Sequence, residues 1–199
     1  MDRKKAFELI LNEKIKAFSS KNTKATKNKL KLFHEEIHGG DVFFVFLKNA
    51  QGYYAGAEAY AGPIHEIIKQ WAPPYKPQLF NASGLSFNSL SETNKAFGDV
   101  IGGTIDLPDE PNFEMAANKM LERVEQIFIK PVANYLAGSP DCVNDVACNP
   151  ERYAYPLATL IAAKVINPTI PSDRIHEITK SKKAFAAKTE FDKSLLLKI

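Results

Sequence analysis

Apolar residues at the start of the chain recur every three or four positions, the spacing of one face of an α-helix. They are Phe7, Ile10, Leu11, Ile15 and Phe18, with lysine and glutamate between them. The pattern predicts a helix over residues 2–18. A polar run at residues 19–23 ends it.

The spacing then changes to the two-residue repeat of a half-buried strand. Apolar and basic residues alternate over residues 29–33, and residues 42–47 form an unbroken block of β-branched and aromatic side chains. Residues 53–61 predict a third strand, and glycine-containing turns at 39–41 and 49–52 separate the three. Such short turns predict an antiparallel meander whose central strand is 42–47.

Helical patterns dominate the rest of the chain, where prolines and capping residues precede apolar stripes. The predicted helices are a short one from Pro63, a long one over 112–136 that Pro131 kinks or ends, a buried one from Pro156 to 166, and one from Ser172. Residues 75–95 predict irregular structure, and residues 97–107 predict another strand. Residues 188–199 predict a tail that docks through Phe191, Leu195, Leu196 and Leu197.

These elements together predict an α+β fold, with an antiparallel sheet of four to five strands and helices packed mainly on one face. A chain of 199 residues is the size of one domain, with or without an added piece. We expect residues 1–166 to form a single α+β domain and residues 167–199 a helical extension that docks on it.

Charge is distributed unevenly, although the net charge is only +3. Residues 1–32 hold ten Lys or Arg against three Asp or Glu, and the middle of the chain is acidic. The Lys-rich arm at residues 21–31 offers candidate phosphate contacts in Lys24, Lys27, Lys29 and Lys31. Because the arm has no interleaved aromatic residues and no arginine, we favour a solvated segment that complements the acidic middle over nucleic-acid binding.

The chain has no apolar run long enough to predict a membrane span. Its first residues lack the apolar core of a signal peptide, so we expect a cytoplasmic protein without a membrane partner. In a reducing compartment, Cys142 and Cys148 are expected to remain thiols, with a disulfide or a metal site as alternatives.

One stretch matches a named catalytic pattern, H-E-x-x-H, at His34, Glu35 and His38. On a helix the two imidazoles share one face and bind zinc, the glutamate activates the metal-bound water, and Glu58 offers a third ligand. The alternation before the motif instead favours a strand, on which the histidines lie about 13 Å apart. We therefore expect no cofactor and keep a zinc-dependent hydrolase as the alternative.

Other polar and aromatic residues give weaker indications. His65-Glu66 and His176-Glu177 lie on predicted helices, where neighbouring residues do not share a face, so each pair is interpreted as solvated. Aromatic residues are enriched at binding hot spots. The candidate partner-binding residues are Tyr53, Tyr54, Tyr60, Trp71 and Tyr75, with plain core filling as the alternative interpretation.

The order of elements resembles a group of uncharacterised bacterial domains of unknown function. The resemblance rests on residues 7–18, 42–47, 63–71, 113–131 and 157–165. It implies a small cytoplasmic protein that binds another protein, as immunity or antitoxin partners do, and it implies no catalytic residues. The leading hypothesis is thus a non-enzymatic protein-binding or accessory domain. A zinc hydrolase and nucleic-acid binding are the alternatives.

Overall fold

The structure is a computed structural model that describes residues 2–77, 83–90, 103–122 and 124–199. Backbone contacts divide the chain into two compact units, each made of two segments. The first unit is Met1–Glu58 with Phe87–Val132, and the second is Ala59–Ser86 with Ala133–Ile199. The predicted α+β class is confirmed. Folding of residues 1–166 as one domain remains a prediction.

An antiparallel sheet contains the six strands found among the described residues. They are β1 (Thr23–Thr26), β2 (Lys29–His34), β3 (Ile37–Leu47), β4 (Gly52–Ala59), β5 (Leu85–Asn88) and β6 (Ile105–Asp106). The order is β1-β2-β3-β4-β5, and β6 also pairs with β4. The predicted meander is confirmed as β2, β3 and β4. Strand β1 was not predicted, because its sequence, TKAT, has no apolar residue besides alanine.

The predicted turn at residues 39–41 is wrong, since these residues lie inside β3. The chain reverses instead at Glu35 and Glu36, whose φ angles are 48° and 67°. Positive φ at both central residues of a two-residue loop is typical of the type I′ turn, whose twist matches that of paired strands. The register shifts between Leu32 and Phe33, which leaves Gly39 as an extra residue in β3.

Two other strand predictions also change. Residues 85–88, predicted to be irregular, form β5. Of the predicted strand at 97–107, residues 105–106 form β6, whereas residues 97–102 lie outside the described part of the chain.

Helices of the first unit cover one face of the sheet, which we call the inner face. Helix α1 (Arg3–Ile15) continues into a 3-10 turn, as the predicted helix over 2–18 requires. The ring of Phe7 in α1 packs against Tyr53 of β4 at 5.2 Å and against Phe113 at 5.5 Å. Phe113 begins α3 (Phe113–Leu121). Its predicted continuation to residue 136 is divided by a π-helical turn (Glu125–Ile129), after which α4 (Lys130–Ala137) contains Pro131.

Helices of the second unit pack around one buried helix. They are α2 (Pro63–Trp71), α5 (Asp141–Cys148), α6 (Pro156–Ile166), α7 (Ser172–Ser181) and α8 (Glu190–Leu196). Helix α6 is buried on nearly all sides, as predicted, and contacts the other four. Of the residues predicted to dock the C-terminal tail, Leu195 is buried and Leu197 is 87% exposed.

A buried polar cluster joins α5 to the segment before α6. The Asp145 carboxylate accepts hydrogen bonds from the Tyr153 hydroxyl at 2.6 Å and from the Arg152 guanidinium at 2.9 Å. Burial, and then the Asp145 charge, raise the pKa of Cys142 to about 12, against the opposing effect of a hydrogen bond with Tyr153. Cys142 and Cys148 are not bridged.

Candidate functional site

The H-E-x-x-H match lies in a β-hairpin. Strand β2 ends at His34, and β3 begins at Ile37. His38 pairs with Phe33, which is the neighbour of His34 along β2. Because successive residues of a strand point to opposite faces, the two histidines project from opposite faces of the sheet. They cannot hold one ion between them.

The zinc alternative therefore fails on backbone geometry. Glu35, its proposed general base, lies in the turn, and Glu58, its proposed third ligand, lies in β4. Within the described ranges, no group of three His, Cys, Asp or Glu side chains is placed to hold a metal ion.

The five aromatic candidates for partner binding do not form one surface of either unit. Tyr53 and Tyr54 belong to the first unit, whereas Tyr60, Trp71 and Tyr75 belong to the second. Tyr53 is fully buried, which favours core filling over the predicted partner-binding role. Tyr54 and Tyr60 are half-buried.

Trp71 and Tyr75 contact the C-terminal segment of their own unit. The Tyr75 hydroxyl donates a 2.8 Å hydrogen bond to Asp192 of α8, and the Lys198 ammonium, after the end of α8, lies 5.7 Å from the centre of the Trp71 ring. Tyr75 thus helps to hold α8 in place.

The lysines of the predicted arm lie on the hairpin formed by β1 and β2. Lys27 and Asn28 make its turn, and Asn28 has a positive φ of 52°. The backbone N–H of Asn28 donates to the Asn12 side-chain oxygen at 2.5 Å, and the Asn12 amide donates to the Asn28 side chain at 2.7 Å. Helix α1 therefore fixes the position of this hairpin.

Strand register decides which face the lysines occupy. Lys24 pairs with Lys31, Lys31 with Asp41, and Lys29 with Phe43. Directly paired residues share a face, and Leu30 and Leu32 between them are buried on the inner face. We call the opposite face the outer face. It carries Lys24, Lys29, Lys31, Phe33, His38, Asp41 and Phe43.

Aromatic rings flank these lysines on the outer face. The Phe33 ring stands 5.2 Å from the His38 ring. The Phe43 ring lies over Gly56 of β4. A Cβ atom at position 56 would come within 2.4 Å of the ring, so a larger residue there would displace it. Phe33, His38 and Phe43 are all half-exposed. The folded sheet thus places aromatic rings on both sides of the Lys24–Lys31 pair, although the linear arm contains none.

Charge on the outer face is compensated at some positions and not at others. Asp41, whose side chain is only 6% exposed, contacts both the Lys29 ammonium at 3.1 Å and the His38 imidazole at 2.9 Å. Lys24 and Lys31 directly oppose each other, and neither forms an ion pair with another described residue. Like charges in such a pair repel, so an anion there would be stabilising.

Other basic residues do complement acidic ones, as the charge pattern suggested. Arg3 pairs with Asp109 at 2.9 Å, and Lys14 pairs with Glu114 at 2.5 Å. Lys27 lies 3.9 Å from Glu8. Within the arm, Lys29 alone among the described pairs contacts a carboxylate of the acidic middle, Asp41, and the interpretation leaves Lys24 and Lys31 unexplained.

A groove of about 940 Å³ opens beside Lys24 and Phe33. Its lining includes the side chains of Ser19, Ser20, Lys21, Asn22 and Thr23. Hydroxyl, amide and ammonium groups of this kind donate hydrogen bonds to phosphate oxygens. Glu35 and Glu36 also line the groove and repel anions locally.

Comparisons with models of known protein families, with curated proteins and with solved structures found no match for this chain. In the part of the chain that the structure describes, no helix is both long enough and apolar enough to cross a membrane. The resemblance to bacterial domains remains an expectation, and function is argued from the geometry.

Proposed function

We propose that the chain is a non-enzymatic binding protein whose outer face takes up single-stranded nucleic acid. The supporting observation is that the directly opposed Lys24 and Lys31 lie between Phe43 on one side and Phe33 with His38 on the other. Ammonium groups neutralise phosphates, and every base offers a π-face to an exposed ring. Since the face carries lysines and no arginine, binding has little sequence preference.

Lysine content favours nucleic acid over a protein partner, because lysine is depleted at the centres of protein interfaces. Protein binding, the function expected from the sequence, is the second candidate. The observation in its favour is Ile37, which is 63% exposed at the tip of the hairpin between β2 and β3. A protein partner would bury Ile37, and its affinity would depend little on salt.

The test measures binding of a labelled single-stranded oligonucleotide by anisotropy at increasing salt concentration. We expect the logarithm of affinity to fall linearly with the logarithm of salt concentration. The double variant Lys24→Gln/Lys31→Gln should lower the affinity and flatten this slope by about 1.4, from about 0.7 per lost phosphate contact. The control, Lys180→Gln/Lys183→Gln, removes the same charge from exposed lysines of the second unit and should leave the slope unchanged.

A second pair of variants separates the two candidate functions. Phe33→Leu keeps an apolar side chain but removes the π-face, and should weaken oligonucleotide binding by about 1–3 kcal/mol if a base stacks there. Ile37→Ser should leave oligonucleotide binding unchanged. Absent or salt-independent binding by the wild type would rule out the nucleic-acid proposal.

A further inference from the structure

The second unit contains a cavity of about 210 Å³. Ile68, Pro73 and Tyr155 contribute apolar walls, and His65, Lys69 and Tyr135 contribute polar groups. The sequence interpretation placed His65 on a solvated face of α2. It is instead half-buried and lines this cavity.

Tyr135 is fully buried, and its hydroxyl has no hydrogen-bond partner among the described residues. A buried hydroxyl without a partner is costly, and native proteins rarely keep one without a reason. A Cβ atom at Gly84 would lie 1.9 Å from this hydroxyl and 3.1 Å from Nδ1 of His65. Glycine at position 84 therefore allows the hydroxyl and the imidazole to approach one point.

The Tyr135 hydroxyl lies beside the His65 imidazole. The hydroxyl oxygen is closed off from water, whereas the His65 side chain is half-exposed. Both residues line the same cavity, so a ligand in the cavity lies next to the hydroxyl.

The size and charge of the cavity restrict the ligand. An apolar cavity of about 150 Å³ holds one benzene molecule, so this cavity suits one ring with a small substituent. Burial raises the pKa of Tyr135, so the hydroxyl remains a donor that requires an acceptor. Lys69 contributes a positive charge, and no acidic side chain belongs to the described lining. An anionic acceptor is therefore favoured.

We propose that this cavity binds a monocyclic aromatic carboxylate. The ring lies against Ile68, Pro73 and Tyr155, and the carboxylate accepts the hydrogen bond of the Tyr135 hydroxyl on the side of Lys69. This site is independent of the outer face and of any nucleic acid.

The test titrates the full chain with sodium benzoate by calorimetry. Toluene, which has the ring alone, and acetate, which has the carboxylate alone, are the comparison probes. We expect benzoate to bind at least tenfold more tightly than either probe. Tyr135→Phe should weaken benzoate about tenfold, which is the loss of one hydrogen bond of about 1.4 kcal/mol, and should leave toluene binding unchanged.

A loss of benzoate affinity in Tyr135→Phe cannot be attributed to unfolding, because the substitution removes an unsatisfied hydroxyl and should leave the protein at least as stable. Tyr75→Phe is the matched control, because its hydroxyl bonds Asp192 and lies outside the cavity lining. Benzoate affinity should be unchanged in that variant. Failure of the wild type to bind benzoate, or equal loss of affinity in Tyr75→Phe, would overturn the proposal. So would full benzoate affinity in Tyr135→Phe.

Discussion

At the scale of single residues, His65 of α2 is half-buried and lines a cavity together with Lys69 and Tyr135. The sequence places His65 on the predicted helix α2, but the residues that line the cavity with it include Ser83, Gly84 and Tyr155 from distant segments. The pKa of His65 is lowered mainly by burial, with Glu66 acting in the opposite direction and Lys69 adding to the decrease. Local spacing contains no information about these distant neighbours, so the solvated interpretation holds for Glu66, which is exposed, but only in part for His65, which is half-buried.

The lowered pKa of His65 predicts a pH dependence of stability. In the unfolded chain His65 takes up a proton near pH 6.5, and in the folded chain it does so at a lower pH. The unfolded state thus binds more protons, so the stability due to neutral His65 is complete above pH 6.5 and is lost as the pH falls towards the folded value. Urea unfolding measures this between pH 7 and pH 5. The free energy of unfolding of the wild type should fall by about a few tenths of a kcal/mol more than that of His65→Gln. The difference is small because the ring is half-exposed. Parallel pH profiles would contradict this.

At the scale of elements, periodicity identified β2, β3 and β4 but misplaced the turn between the first two. Hairpin loops of two residues usually contain Asn-Gly or a similar pair, whereas Glu35 and Glu36 give no such signal. Gly39 and Gly40 indicated a turn, yet they lie within β3. The candidate outer face depends on this detail, because a shift of one residue in register sends every side chain to the other face. The lysines could therefore be named from the sequence as candidate phosphate contacts, whereas the rings beside them on the folded sheet could not.

The backbone conformation of the turn between β2 and β3 predicts that substitution by glycine there stabilises the protein. Glu36 has a φ of 67°, a conformation that costs a residue with a Cβ atom about 1–2 kcal/mol and that glycine adopts freely. Glu36→Gly should therefore raise the free energy of unfolding by about 0.5–1 kcal/mol, after the greater entropy of glycine in the unfolded chain is subtracted. Urea denaturation measures the change.

Glu13→Gly is the control for this substitution. Glu13 is exposed within α1, where glycine should instead lower stability by about 1 kcal/mol. A loss of stability in Glu36→Gly of the same size would show that the turn does not have positive φ at this position.

At the scale of the whole molecule, the pattern gave the α+β class but not the division into units. Each unit combines segments that are distant in sequence. The second unit joins Ala59–Ser86 to Ala133–Ile199. The apolar sequence of α6 indicates that the helix is buried on all sides. It does not indicate that α2, α5, α7 and α8 are the helices that cover it. Burial is visible in a sequence, whereas the identity of the covering element is not.

This arrangement predicts that the chain cannot be shortened to residues 1–166. Residues 167–199 supply buried side chains to the second unit, namely Ile170, Ile175, Phe185 and Leu195. Burial of each such side chain contributes about 1.5–3 kcal/mol, so their joint loss is comparable to the whole stability of a typical domain. The deletion also removes Asp192, the acceptor for Tyr75. We expect the 1–166 fragment to lack cooperative urea unfolding and the near-ultraviolet circular dichroism of packed aromatic rings.

A shorter deletion tests whether the loss of stability comes from shortening the chain or from losing packed side chains. A chain ending at residue 196 loses Leu197, which is 87% exposed, and the contact of Lys198 with Trp71. It should unfold within about 1 kcal/mol of the full chain, since an exposed cation–π contact contributes about 0.5–1 kcal/mol. If the 1–166 fragment instead unfolds cooperatively at the urea midpoint of the full chain, the last 33 residues are an accessory extension. The single domain predicted from the sequence would then be the correct description, and α6 would be stable without the two helices that cover it from the C-terminal side.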